Sequence, residues 1–265
     1  MKGLKKYSHR DREKVIQEIV PLIKKKFGEN LLALAAAASY ARMEDTDYSD
    51  LELVAFVNEM PGEKKVDGIG KIRDGLLVEL VWMTKATYIE RVLEVTPDWY
   101  IAGSDVLLPL INEDIINELT AYKVKKVREK CLFQALNHWH EVQESTAKVL
   151  NAIKKENRTG ISLLVSDMYL HMLRVLSFLN QTPYKTFSEF ISQSLAFEIK
   201  PALFDELTHI MVEGIYQDFE HLENVVVNVF SDFEKIFEEE GYHLYDDNID
   251  PNLPTEVEKM NPHLQ

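Results

Sequence analysis

The chain has a single cysteine, Cys131, so no disulfide can form within it and its 265 residues must be held by packing and hydrogen bonding alone. It also lacks any apolar run of membrane-spanning length, the longest being the eight residues from Leu31 to Ala38, mostly alanine. The opening stretch, MKGLKKYSHRDREK, carries charge where a secretory signal needs an apolar segment. These absences lead to the expectation of a cytoplasmic protein with no membrane partner. Positive charge is scarce as well: 30 Lys and Arg stand against 44 Asp and Glu, a formal charge of −14. That balance argues against nucleic acid as a partner, because its backbone demands clustered basic residues. It suits a cationic ligand, and more simply the acidic surface that keeps many proteins soluble. What is present is a hydrophobic fraction of 46%, enough for a substantial core in one large domain or two ordinary ones.

Along the chain, Ser8 can cap a helix with Asp11 three residues later, and Val15, Ile16, Ile19, Val20, Ile23 and Phe27 mark its apolar face up to Gly28. Pro21 is expected to kink or divide that helix. Three candidate strands follow, Leu31 to Ala37, Asp50 to Val57 and Leu76 to Trp82, separated by the polar loops RMEDTDYS and NEMPGEKKVDGIGKIRDG. A short helix around Thr87 to Leu93 precedes DVLLPLI, a further strand or edge segment. From about Lys123 glycine and proline thin out and helical periodicity takes over in Val127 to Lys155, Ile161 to Leu179, Phe187 to Met211 (interrupted at Pro201) and Gln217 to Glu240. The tail from residue 246 has little to bury and reads as a wrapping arm or a frayed end. The fold class expected is α+β: a mixed α/β domain over residues 1–124, then an all-α helical bundle over 125–265 with an irregular C-terminal tail.

The chemistry gathers in AAAASYARMEDTDYSDLELVAFV, residues 35 to 57. In a strand, side chains alternate between faces, so Asp50 and Glu52 share one face while Leu51 turns to the other. Glu79 stands in the middle of LLVELVW, flanked by Val78 and Leu80. A buried carboxylate without a partner costs several kcal/mol, about enough to require a cation or a hydrogen-bonding neighbour there. If the two strands are adjacent, three carboxylates converge, and a hard divalent ion such as magnesium chooses an all-oxygen site of that kind. An edge strand with its acidic face in water fits the spacing as well.

Serine, a short loop, Tyr48-Ser49-Asp50-Leu51-Glu52 and a more distant strand glutamate resemble the nucleotidyltransferase fold, specifically the kanamycin nucleotidyltransferase branch of the aminoglycoside-modifying enzymes. The leading helix ending in Phe27-Gly28, the Val78-Glu79-Leu80 strand and the helical second half extend the likeness over most of the chain. The resemblance implies an N-terminal nucleotidyltransferase domain that moves AMP from ATP to a hydroxyl of a small, cationic acceptor such as an aminoglycoside, an antibiotic-resistance activity. It implies Asp50 and Glu52 as catalytic magnesium ligands, Glu79 as an auxiliary acid near metal or substrate, and Ser39 and Arg42 at the nucleotide phosphates. In the helical half, HEVQESTAKVLN offers Glu144 as catalytic base and Lys148 at the phosphates, with Glu141, one turn from Glu144, as the fallback base or a substrate-binding acid; the residues alone spell a surface i,i+4 salt bridge. The resemblance further implies a homodimer whose active sites are shared between subunits. Where the family carries glycines beside its serine, this chain has Ala38 and Ala41. Alanine is harmless there in right-handed geometry, and costs about 1 kcal/mol or more if φ is positive. A descendant that binds without turnover, and a transferase acting on a protein or another metabolite, are the alternatives.

Other motifs carry less. His138 and His140 are two apart and diverge by roughly 200° on a helix, so they make no zinc pair. Phe219, Phe230, Phe233 and Phe237 at helical spacing read as core or dimer packing. DGIGKIRDG lacks the Lys-Ser end of a phosphate-binding loop.

Overall fold

A computed structural model describes residues 1–102, 106–242 and 244–245. The chain divides into two compact units, one of Met1–Glu94 with Asp105–Lys125, the other of Val95–Ser104 with Lys126–Gln265. The first is a mixed sheet with helices and the second is helical, in the order the sequence leads one to expect. The tail from residue 246 lies outside the described residues.

In the first unit, α1 (His9–Phe27) starts at a reciprocal cap between Ser8 and Asp11 and stops at Gly28, whose φ of 56° few other residues adopt. Pro21 does not divide the helix, which runs unbroken from His9 to Phe27. It lies on the exposed face, where the carbonyl of exposed Gln17 that loses its helical partner can turn to water. The buried stripe is Arg12, Ile16, Ile19, Ile23 and Phe27, and each apolar member contributes about 1.5–3 kcal/mol on leaving water.

The sheet has five strands, β1 (Leu31–Ala36), β2 (Leu51–Val57), β3 (Val66–Arg73), β4 (Leu76–Thr84) and β5 (Leu108–Ile111), in the spatial order β3-β4-β2-β1-β5. Only β2 and β4 run parallel; the other pairs are antiparallel. Leu34, Ala36, Leu51, Leu53, Ala55, Leu76, Leu80 and Trp82 face α1. Ala33, Ala35, Phe56 and Met83 face the opposite side, against α3 (Lys85–Val92) and α5 (Glu113–Thr120). Between β1 and β2 lies the short turn α2 (Ala38–Ala41).

β3 corrects the sequence reading, which left that stretch as loop. Its two glycines and mostly exposed side chains hide the strand period, yet Asp74 (φ 47°) and Gly75 (φ 87°) form the two-residue hairpin turn that joins Arg73 to its partner Leu76.

Arg12 is wholly buried and uses its full guanidinium. It pairs with Asp45 at 2.9 Å and donates to the carbonyls of Tyr7 (2.7 Å), Thr46 (2.7 Å) and Ser49 (3.1 Å). The loop leading into β2 is thus tied to the first turn of α1. Removing one side of a buried ion pair leaves the other charge uncompensated, at a cost of about 3–5 kcal/mol. Arg12→Met is expected to lower stability by that amount in urea denaturation, and a loss under 1 kcal/mol would show that the clamp is not structural.

The second unit contains α4 (Trp99–Ala102), α6 (Val127–Lys154), α7 (Ile161–Leu179), α8 (Phe190–Leu195), α9 (Phe204–Glu213) and α10 (Phe219–Glu239). Residues 95–102 pack here and not with the sheet that precedes them: Gln134 donates to Val95 O at 2.8 Å, Tyr184 N to Tyr100 O at 2.7 Å, and Trp99 stacks on Phe178. Trp139 of α6 meets Phe230, Phe233 and Phe237 of α10, so three of the four spaced phenylalanines are packing residues. The third helical stretch is broken more deeply than Pro201 alone predicts, with no helix from Ala196 to Leu203; the side chain of Asn180 holds the backbone of Ile199 there, and the residue before a proline avoids helical geometry. α7 has the length and composition of a membrane-crossing helix, but over half of it is buried within this unit, and Asp167, His171 and Arg174 interrupt it.

His138 and His171 share a 2.9 Å hydrogen bond between α6 and α7. Burial, with Arg174 and the neighbouring histidines, pushes His138 down to about 4 from an ordinary value of 6.5. The unfolded chain then binds a proton that the folded chain refuses between those two values, so stability rises with pH across that window and is fully present above 6.5. Acidification from pH 7 to 4.5 should cost on the order of 1 kcal/mol of stability by this group, its partial exposure to solvent screening the rest. In His138→Asn the slope between pH 4 and 6.5 should flatten; an unchanged slope would assign it elsewhere.

Candidate active site

The site grows from the register of two parallel strands. Glu52 of β2 and Glu79 of β4 are direct partners, and Asp50 sits one step before β2 on the same face as Glu52. One carboxylate oxygen from each of the three lies within 4.8 Å of the others, and all three side chains are half-buried. Among the described residues this is the one cluster of its kind. Like charges on facing positions repel. An all-oxygen donor set at this spacing fits a hard divalent cation, which would offset the repulsion.

Ser39 and Arg42 belong to the turn that follows β1, the strand next to β2. Ala37 N donates to Glu52 O at 3.0 Å and carries the ladder to the edge of the turn. Ala38 then takes φ of 52°, in the left-handed region, whereas Ala41 is right-handed helical. The first alanine substitution is therefore strained and the second is not. Arg42 donates to Glu44 at 2.9 Å, so its guanidinium already has an acidic partner.

Tyr40, on the same turn, is buried and stacks flat on His9, centroids 4.3 Å apart at 7°. His9 Nδ1 donates to Asp45 at 2.6 Å, and Asp45 holds Arg12. One chain of contacts thus reaches from the Ser39 turn to the backbone of Ser49, immediately before Asp50. Burial, followed by the charges of Glu13 and Asp45, raises the Tyr40 phenol. Sequence reading missed His9, Arg12, Tyr40 and Asp45. The signal for one of them was there: Arg12 falls on the helical stripe of Ile16, Ile19 and Ile23, and a charge on a buried stripe needs a partner.

Glu141, Glu144 and Lys148 lie on α6, in the other unit. Glu144 and Lys148 pair at 2.9 Å, one turn apart and exposed, which lowers the carboxyl and raises the amine. Glu141 instead lies 3.3 Å from His140. Cys131 is buried and its thiol is pushed up to about 12, so it is no nucleophile at neutral pH.

Residues 115–243 match the family model of the KNTase C-terminal domain. A putative protein adenylyltransferase of Methanocaldococcus jannaschii is 24% identical over 140 residues, which is 53% of this chain and 84% of that protein. A nucleotidyltransferase-like protein from Exiguobacterium sibiricum 255-15 superposes with a TM-score of 0.46 at 11% identity, over 85% of this chain and 75% of that one. The family match and the archaeal relative support a nucleotidyltransferase, in the general sense of that activity. Within that class, the match over residues 115–243 supports a kanamycin nucleotidyltransferase-like family.

Ala38→Gly relieves a left-handed penalty of about 1–2 kcal/mol against an added unfolded-chain entropy of about 0.4–1. A net stabilisation of about 0.5–1 kcal/mol is expected in chemical denaturation, while Ala41→Gly should lose up to about 1 kcal/mol. Equal effects at the two positions would contradict the assigned backbone geometry.

Proposed function

We propose that this protein transfers AMP from ATP to a hydroxyl of a small acceptor. The observation that carries the reading is the facing pair Glu52 and Glu79 with Asp50 beside them. Asp50 and Glu52 would hold magnesium, with Glu79 as the third acid toward metal or acceptor. Magnesium bound there supplies positive charge for the α-phosphate and the departing pyrophosphate. Ser39 binds phosphate from its turn, and Arg42 joins it on exchanging Glu44 for phosphate. Glu144 takes the proton from the acceptor hydroxyl, and Lys148 contacts phosphate. The acceptor oxygen bonds to the α-phosphorus as the α-phosphorus to oxygen bond of pyrophosphate breaks. Glu144 is ionised at neutral pH, the form a base requires, and the hydrogen bond from Lys148 lowers its carboxyl further. A homodimer with shared active sites belongs to the same proposal.

A second reading takes a protein side chain as the acceptor. The name of the archaeal relative, a putative protein adenylyltransferase, favours it.

Calorimetric titration of ATP should show binding that tightens with magnesium in the parent and loses that dependence in Glu52→Gln. Glu144→Gln should bind ATP normally and transfer AMP about 10²–10⁴-fold more slowly. ATP binding that is indifferent to magnesium would sink the proposal, and full-rate transfer by Glu144→Gln would remove that residue as the base.

A further inference from the structure

The wall of the first unit beside Asp50 is a depression of about 400 Å³ whose lining includes Leu4, Tyr48, Ile72, Leu76 and Leu77. Leu4, Tyr48, Ile72 and Leu77 leave 45%, 50%, 65% and 38% of their surface in solvent, so the patch is apolar and open. The one cation of the lining, Lys5, is already paired with Asp74. The one acid is Asp50, which belongs to the carboxylate trio.

The edge strand adds nothing polar on the carboxylate face. Across the β3–β4 ladder Gly68 faces Val81, Gly70 faces Glu79 and Ile72 faces Leu77. A Cβ built at Gly70 would come within 3.4 Å of a Glu79 oxygen, so this position decides what stands beside that carboxylate. A polycationic acceptor requires carboxylates beyond those a metal ion neutralises. Along β3 this face provides Val66, Gly68, Gly70 and Ile72 in their place.

Resting on the transferase reading above, we infer that the acceptor is an uncharged alcohol with an apolar body, seated in the depression with its hydroxyl toward Asp50. Its volume is in the range of small-ligand sites, about 300–1,000 Å³. Burying an apolar body there gains about 25 cal/mol per Å², whereas a polyamine would meet no acid in the depression but Asp50, which the metal already neutralises. The transfer balances as written for the general reaction: the alcohol oxygen gains AMP, pyrophosphate leaves, and the hydroxyl proton goes to the base.

The test has two readouts. Ligand-observed NMR on the full chain without metal or nucleotide should detect N-acetyltyrosine amide and cyclohexanol, with both signals lost in Ile72→Asp. With labelled ATP and magnesium, the neutral alcohols should be modified with a kcat/KM at least tenfold above that for kanamycin, Ile72→Asp should lose tenfold or more with ATP binding intact, and Gly70→Glu should shift the preference toward kanamycin. Magnesium-dependent ATP binding together with a preference for kanamycin in the parent overturns the acceptor class alone. Absence of magnesium-dependent ATP binding overturns the transferase reading and the inference with it.

Discussion

The sheet unit depends on one buried cation. Arg12 lies on the apolar face of α1, where an unpaired charge would be prohibitive, and it is tolerated because Asp45 and three backbone carbonyls take up its donors. The carbonyls are the informative part. An irregular loop has no ladder to satisfy its backbone, and here a side chain from a neighbouring helix does so. The residues between Arg42 and Asp50 therefore have one conformation to adopt, and Asp50 enters β2 at a fixed height.

That height matters because the carboxylate trio is a matter of register. Side chains alternate along a strand, so a slip of one residue between β2 and β4 would turn Glu52 or Glu79 onto the α1 face, among Leu51, Leu53 and Leu80. Burying a charge there costs far more than the repulsion between facing carboxylates. The apolar pattern of both strands thus enforces an arrangement that is locally unfavourable for the acids. Concentrated like charge held in place by a core is what a cation site needs, and it is the feature that separates this face from an ordinary acidic surface.

How much of this could be read from residues varies with the strength of the local signal. The cap of α1, the strands β1, β2 and β4, and helices α6 and α7 follow from period and punctuation, and the convergence of Asp50, Glu52 and Glu79 follows once two strands are taken as neighbours. β3 escaped because glycine has low strand propensity and an edge strand has no buried face to impose alternation, although Asp74-Gly75 marks its turn. The contacts of Arg12 and His9 escaped for another reason: they join α1 to a loop more than 30 residues away, and no local pattern encodes a partner at that distance. The break before α9 was half legible, Pro201 being visible and the grip of Asn180 on Ile199 not.

The turn at Ser39 shows how a departure from a family pattern can be weighed by magnitude. Left-handed alanine costs about 1–2 kcal/mol, and such strain persists only where surrounding contacts over-determine the backbone. Ala38 has those contacts two residues on. Tyr40 is buried, a stacked aromatic pair contributes about 0.5–1.5 kcal/mol beyond its burial, and its partner His9 is fixed by Asp45. The stabilisation available to the anchor matches or exceeds the strain, so loss of glycine alone does not unmake the turn. The same Asp45 that anchors His9 also pairs with Arg12, and through it the shape of the serine turn and the position of Asp50 are set by one network. A change at either loop would be felt at the other, which makes the serine turn and the carboxylate side of this unit a single structural element.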